Sequence, residues 1–179
     1  SLFRGQWANG LLPHIIFHSD QQEGYFPNSG YWQSDKFAHA ATSVKTSGIT
    51  QPPVHGFVLE RLLKDHQSDK RILSLANSLI PKIIKYHEFL YRERDPYNEG
   101  LVYIYHPWES GRDNSPVWDE ILNRIEVEEH LLPEYQRVDN QIADPSHRPT
   151  DDDYRKYVYL MEIGRRNGYH GDGITDSSP

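Results

Sequence analysis

Residues 106–119 crowd the carboxylates of Glu109, Asp113 and Asp119, the guanidinium of Arg112 and the indoles of Trp108 and Trp118 around Gly111. No packed core needs that mixture. Aromatic faces beside carboxylic acids can hold a sugar and protonate an oxygen on it, because a pyranose face presents C–H groups that stack on indole. Asp113 is the candidate acid. From the residues alone, a proton-donating Asp113 and a turn aspartate that caps the next helix stand about level.

The other candidate contacts lie in turns. Trp32, in a loop broken by Gly24, Pro27, Asn28 and Gly30, is a second sugar platform beside Trp108. Gln51, stiffened by Pro52 and Pro53, has a donor and an acceptor for sugar hydroxyls; satisfying its own loop's backbone is the competing role. Tyr25 and His106 are weaker substrate-binding candidates. Glu109 is expected to orient Arg112 or a sugar hydroxyl. Arg112 suits a carboxylate of the substrate or, more conservatively, Glu109. Asp119 reads as a first-turn helix charge, Trp118 as core and Phe26 as a loop anchor.

Composition excludes several classes of function. The net charge of −7 with no long basic run gives no footprint for nucleic acid. No cysteine is present, which rules out disulfides, thiolate metal sites and a thiol nucleophile, and fits a reducing cytoplasm. No apolar run approaches the ~20 residues of a membrane-spanning helix. The 10 histidines show no metal spacing, and no cofactor motif occurs. The hydrophobic fraction of 36% and mean hydropathy of −0.78 are low for a self-sufficient globule, while 12% aromatic residues are too many for disorder. A wide, aromatic-lined groove for a polar ligand reconciles the two. The start at Ser1-Leu2-Phe3-Arg4 is neither a signal peptide nor an initiator Met, so the chain is expected to be processed or part of something longer.

The elements that must position these residues read as helical, with one domain as the default for 179 residues. Residues 11–18 are a short apolar run, helical or extended. Pro53 opens a helix to about Gln67 with Val54, Phe57, Val58, Leu62 and Leu63 on one apolar face. Ser68 caps a second, reaching about Arg94, which Pro81 should kink or divide; the two make a helical hairpin. Residues 101–105 form a short strand-like run, and Ser115-Pro116 opens a helix to about Glu126. Residues 126–149 are a long surface connection. Thr150 caps a last helix with Asp151, Asp152 and Asp153 in its first turn and Arg165 and Arg166 in its last. Those aspartates point in different directions and read as dipole charges, not a metal site. Residues 171–179 are polar, and Asp172 to Asp176 only faintly echo a calcium loop. Together these elements suggest an all-helical toroid with its loops at one end.

The run Gly10 to His18, the Tyr25-Phe26-Pro27 loop with Trp32, residues 46–53 and the motif around Asp113, taken in order, resemble glycoside hydrolase family 63. Within it they look most like the bacterial mannosylglycerate and glucosylglycerate hydrolase branch. The resemblance implies an (α/α)6 barrel, of which residues 1–179 would be the incomplete N-terminal portion, and hydrolysis of an α-glycosidic bond with inversion. It makes Asp113, in Glu109-Ser110-Gly111-Arg112-Asp113, the general acid. It places the general base on a glutamate further downstream than Pro179, so the remainder of the barrel is an expected partner, as a second segment or chain. The expected substrate is a small glucosyl or mannosyl conjugate such as a glycerate. Two other functions compete: a non-catalytic carbohydrate-binding fragment, and an epimerase or lyase on the same toroid using His or Tyr bases.

Overall fold

A computed structural model describes residues 2–18, 26–139, 144 and 148–170. Among them the regular structure is helical: α1 (Ser29–Trp32), α2 (His55–Asp65), α3 (Lys70–Glu93), α4 (Asp119–Leu122) and α5 (Asp151–Arg166), with short 3-10 turns between. The all-α expectation holds, and the only β feature there is an isolated antiparallel bridge between Ile16 and Thr46. Residues 14–17 are therefore extended. They run antiparallel to residues 45–49 through His14 N–H to the Ile49 carbonyl (2.8 Å) and Phe17 N–H to the Lys45 carbonyl (2.9 Å).

Helices α2 and α3 pack together as the expected hairpin. Its details differ from the sequence expectation. Asp69, not Ser68, caps α3, its carboxylate accepting from Arg71 N–H at 2.8 Å. Pro81 does not divide α3: Ala76 before it and Ile83, Tyr86, Phe89 and Leu90 after it are all anchored in the core. That packing outweighs the roughly 3 kcal/mol cost of an internal proline. In α2 the buried residue is Leu59, whereas Phe57, Val54 and Val58 are 73%, 54% and 50% exposed. Val54, Phe57 and Val58 of the apolar stripe read from the sequence thus face outward, while Leu62 is half-buried and Leu63 packs against the core.

Residues 101–105 pair with no strand; Tyr103 N–H reaches back to the Arg94 carbonyl at 2.7 Å. Helix α4 ends at Leu122, short of Glu126, and a 3-10 turn (Pro116–Trp118) precedes it with no side-chain cap from Ser115. Trp118 is half-buried, not core, and its indole N–H donates to the Arg112 carbonyl at 2.8 Å.

The last helix matches its sequence closely. Thr150 and Asp153 form a reciprocal capping box, and Tyr154, Tyr157, Val158 and Met161 are buried. The first-turn aspartates meet cations: Asp151 pairs with Arg137, and Asp152 with Arg155 and Lys156. The core gathers Trp7, Leu11, Leu12, Trp32, Tyr86, Phe89, Met161 and Tyr169, so that the chain's two ends and α3 share one interior. Gly48 is forced by that interior: a Cβ there would lie 2.4 Å from the Tyr169 ring. Phe26 anchors its loop as expected, stacked on Tyr135 and edge-on to Tyr31. Residues 171–179 lie outside the described residues.

Candidate active site

A cavity of about 440 Å³ is lined by Asp113, Trp108, Gln51 and Trp32, together with His14, Asp139, Arg148 and Tyr154. Four of the residues singled out from the sequence, distant in the chain, thus meet in one place. A larger cavity of about 780 Å³ lies between α5 and residues 121–126, but Asp113 does not line it. The chemistry selects the smaller one.

Two loops carry the site, and Glu109 fastens them. The 3-10 turn Pro107–Ser110 is capped by His106 and closed by Gly111 at φ +67°, a left-handed conformation suited to glycine. Within it the Glu109 carboxylate accepts from Thr50 N–H (3.0 Å), Thr50 Oγ1 (3.2 Å), Tyr105 N–H (2.9 Å) and both terminal nitrogens of Arg94 (2.9 and 3.0 Å). Burial alone would raise the pKa of Glu109; the Arg94 charge and these hydrogen bonds outweigh it and hold the carboxyl below its usual range. Glu109 therefore orients the Gln51 loop and pairs with Arg94, not with Arg112 or a sugar.

His106 is likewise a support. Its Nδ1 accepts from Trp108 N–H (3.1 Å), so its Nε2–H donates to the Tyr157 carbonyl (3.0 Å). Complete burial lowers its pKa to about 4, with the Tyr157 carbonyl and Glu109 pulling the other way. The ring is neutral and both nitrogens are occupied, leaving nothing for a sugar. Its face lies 4.4 Å, centroid to centroid, from the Trp108 ring and helps set that indole's position.

Trp32 differs from the open platform expected of it. The residue is only 1% exposed and packs on Trp108 and Tyr169, so little of it is open to the cavity it lines; its indole N–H is buried without a partner. Trp108 is partly buried and lines the cavity wall. The Gln51 side chain is exposed at the cavity while its carbonyl accepts from the Tyr86 hydroxyl. The Asp113 carbonyl accepts from the Tyr157 hydroxyl at 2.7 Å, which ties the residue to α5. Arg112 is exposed, does not line the cavity, and makes no ion pair among the described residues. Tyr25 lies outside the described residues.

Sequence reasoning missed His14, Asp139, Arg148 and Tyr154 as cavity residues. His14 stood in a run read for its apolar residues and as a family motif, with no role given to the imidazole, and Arg148 in a connection without periodicity. Among the described residues no group of acidic and histidine side chains could hold a metal ion, and no helix is long and apolar enough to cross a membrane.

The chain is 46% identical over 175 residues to a mannosylglycerate hydrolase of Thermus thermophilus, an alignment covering 98% of this chain and 40% of that one. It is 40% identical over 169 residues to a glucosylglycerate hydrolase of Mycolicibacterium hassiacum, covering 90% of this chain and 37% of the relative. Among solved structures it superposes on a family 63 mannosylglycerate hydrolase from Thermus thermophilus, in complex with Tris and D-glycerate, with a TM-score of 0.86 at 43% identity. That match covers 99% of this chain and 40% of the other, so the chain spans about two fifths of the proteins it resembles and its helices form part of an (α/α)6 barrel. Residues 1–178 also match the model of the mannosylglycerate hydrolase MGH1-like glycoside hydrolase domain, and with the helical architecture and the Asp113 cavity in place, the chain belongs to that family of glycoside hydrolases.

Proposed function

We propose that the chain is the N-terminal, acid-bearing portion of an inverting α-glycosidase for a small mannosyl or glucosyl conjugate of glycerate. The observation that carries this is the convergence of Asp113, Trp108 and Gln51 on one cavity that Trp32 also lines. In this reading Trp108 packs against the hexose face and Gln51 holds ring hydroxyls. Asp113 protonates the glycosidic oxygen as its bond to the anomeric carbon breaks. A carboxylate ~6.5–9.5 Å away removes a proton from the water that attacks the opposite face.

That second carboxylate comes from the remainder of the barrel. Among the described residues only Asp139 shares the cavity with Asp113 as a carboxylate, and its two oxygens accept from Arg137 Nε (3.1 Å) and Nη2 (2.7 Å). A carboxylate clamped in that way is a poor base. Arg148, on the cavity wall with a buried and unpartnered Nε, takes the role considered for Arg112, binding the glycerate carboxylate. The cysteine-free chain suits a reducing compartment such as the cytoplasm.

The test uses a polypeptide joining this chain to the remainder of the barrel. Wild type releases hexose from mannosylglycerate or glucosylglycerate, NMR of the first product shows the β anomer, and Asp113→Asn abolishes release without lowering the melting temperature. Sugar binding with no turnover in wild type would instead mark a carbohydrate-binding fragment.

A further inference from the structure

We infer that Arg137 determines specificity from behind the cavity wall: by holding the Asp139 carboxylate to itself, it leaves the Arg148 guanidinium unneutralised for an acidic aglycone. This rests on the glycosidase reading above and adds to it a positioning residue that does not itself line the cavity.

Three residues that do line the cavity depend on this one side chain. Asp139 accepts from Arg137 Nε (3.1 Å) and Nη2 (2.7 Å), the Pro149 carbonyl accepts from Nη2 (3.0 Å), and the Tyr154 ring centroid lies 4.4 Å from the guanidinium carbon. Outside the cavity, Asp151 accepts from Nη1 at 2.7 Å. Ring, carbonyl and second carboxylate together fix the guanidinium plane, so that its Nε–Nη2 edge is presented to Asp139. A lysine ammonium cannot reproduce that forked geometry.

Arg148 makes the contrast. It lines the same cavity and forms no ion pair with a described residue. Asp139 lies within electrostatic range of both arginines. Burial works to raise its pKa, but the Arg137 hydrogen bonds and charge, with the Arg148 charge behind them, hold the carboxyl below its usual range and ionised at neutral pH. Asp151, with its side chain 88% exposed, is screened by water and cancels little. Two arginines against one Asp139 thus leave a single positive charge, the complement of one ligand carboxylate. Removing Arg137 strands a partly buried carboxylate, and the other cation acting on it is Arg148. Asp139 then turns to Arg148, and the charge meant for the ligand is lost.

The test uses the polypeptide carrying the whole barrel. Its readout is the preference for an acidic aglycone: kcat/KM on the hexosyl glycerate divided by kcat/KM on the matching hexosyl glycerol, which has a hydroxymethyl group in place of the carboxylate. Arg137→Met is expected to lower that ratio roughly 10- to 100-fold, and Arg137→Lys to lower it less. Adding Asp139→Asn to Arg137→Met should return the ratio to within about threefold of wild type, because an amide cannot neutralise Arg148. Where Arg137→Met does not fold, Arg137→Lys with and without Asp139→Asn carries the same comparison. A merely structural role lowers both rates alike, so turnover with an unchanged ratio, or with a fall that Asp139→Asn does not reverse, defeats the role of Arg137 alone. If wild type releases no hexose, calorimetry with D-glycerate replaces turnover. Affinity that falls in Arg137→Met and recovers in the double variant then leaves the role of Arg137 standing while the hydrolase reading fails. No turnover, with D-glycerate binding absent or indifferent to Arg137→Met, defeats both.

Discussion

Arg94 and Glu109 form a bidentate ion pair, 2.9 and 3.0 Å, with side chains 4% and 0% exposed. Arg94 closes the C-terminus of α3 and Glu109 sits in the turn that leads to Asp113, so the pair transmits the position of a long helix to the candidate acid. A desolvated pair gains little over an apolar substitute, but removing one member strands the other. Glu109→Gln is expected to cost about 3–5 kcal/mol in urea unfolding, and the Arg94→Met/Glu109→Met double variant markedly less than the sum of the singles. Additive losses would show that the two side chains act separately.

The same carboxylate makes a pH prediction. The folded-state pKa of Glu109 is depressed, so its stabilisation is complete above the unfolded value of 4.5 and is lost as pH falls through the lower folded value. His106 acts in a higher window. It is neutral when folded down to about pH 4 but takes a proton in the unfolded chain below about 6.5, so stability is full above 6.5 and declines towards 4. The decline attributable to His106 is on the order of 3 kcal/mol. An acid titration of His106→Gln followed by circular dichroism should show a smaller loss between pH 6.5 and 4, the remainder coming from His14 and His55, whose pKa values burial also lowers, and should keep the loss below 4.5. An unchanged profile would mean that other groups govern acid sensitivity.

Tyr157 offers a separate handle on Asp113. Its hydroxyl donates to the Asp113 carbonyl (2.7 Å), and burial, reinforced by Asp153, Asp113 and Asp119, raises its pKa and keeps the phenol protonated. Tyr157→Phe deletes one hydrogen bond and almost no volume. Stability is expected to fall by about 1 kcal/mol, while kcat falls more than KM rises, since the bond orients the acid and does not touch substrate. A change confined to KM would place Tyr157 in binding.

These relationships explain what was legible in the sequence. Local chemistry could be read: the Thr150/Asp153 capping box, the aspartates and arginines at the two ends of α5, and the turn around Gly111 were evident from residue types within a few positions. Asp113, Trp108 and Gln51, which line one cavity, also stood out, because indoles, carboxylates and amides in turns are not what a packed core requires. Partnerships across the chain were not. Nothing in Glu109-Ser110-Gly111-Arg112 says that the glutamate bonds to an arginine 15 residues earlier in preference to the one three residues later. His106 and His14 likewise look alike in sequence; one is sealed by the Tyr157 carbonyl and the other left with an orphan nitrogen. Of the two outcomes the sequence offered for Pro81, division of the helix did not occur, because core contacts on either side of it hold α3 together.

The outward part of the α2 stripe, Val54, Phe57 and Val58, is the remaining departure from the sequence pattern, and it yields the last prediction. Phe57 is 73% exposed, and on α3 Ile84 and Tyr91 are 52% and 57% exposed. An amphipathic helix with its apolar face in water gains nothing from that face, whereas the same face against another helix contributes about 25 cal/mol per Å² buried. If the remainder of the barrel covers it, hydroxyl-radical labelling of Phe57 and Tyr91 should be rapid in the 179-residue chain and strongly slowed in a polypeptide carrying the rest of the barrel. In that longer polypeptide Phe57→Ala should cost about 3–5 kcal/mol, against ~0.5 kcal/mol or less for an exposed position. Equal labelling in the two polypeptides would assign this stripe to the outside of the assembled barrel, and the larger cavity between α5 and residues 121–126, with its apolar Ile121, Ile125 and Ile163, would become the surface to test for contact with the remainder of the barrel.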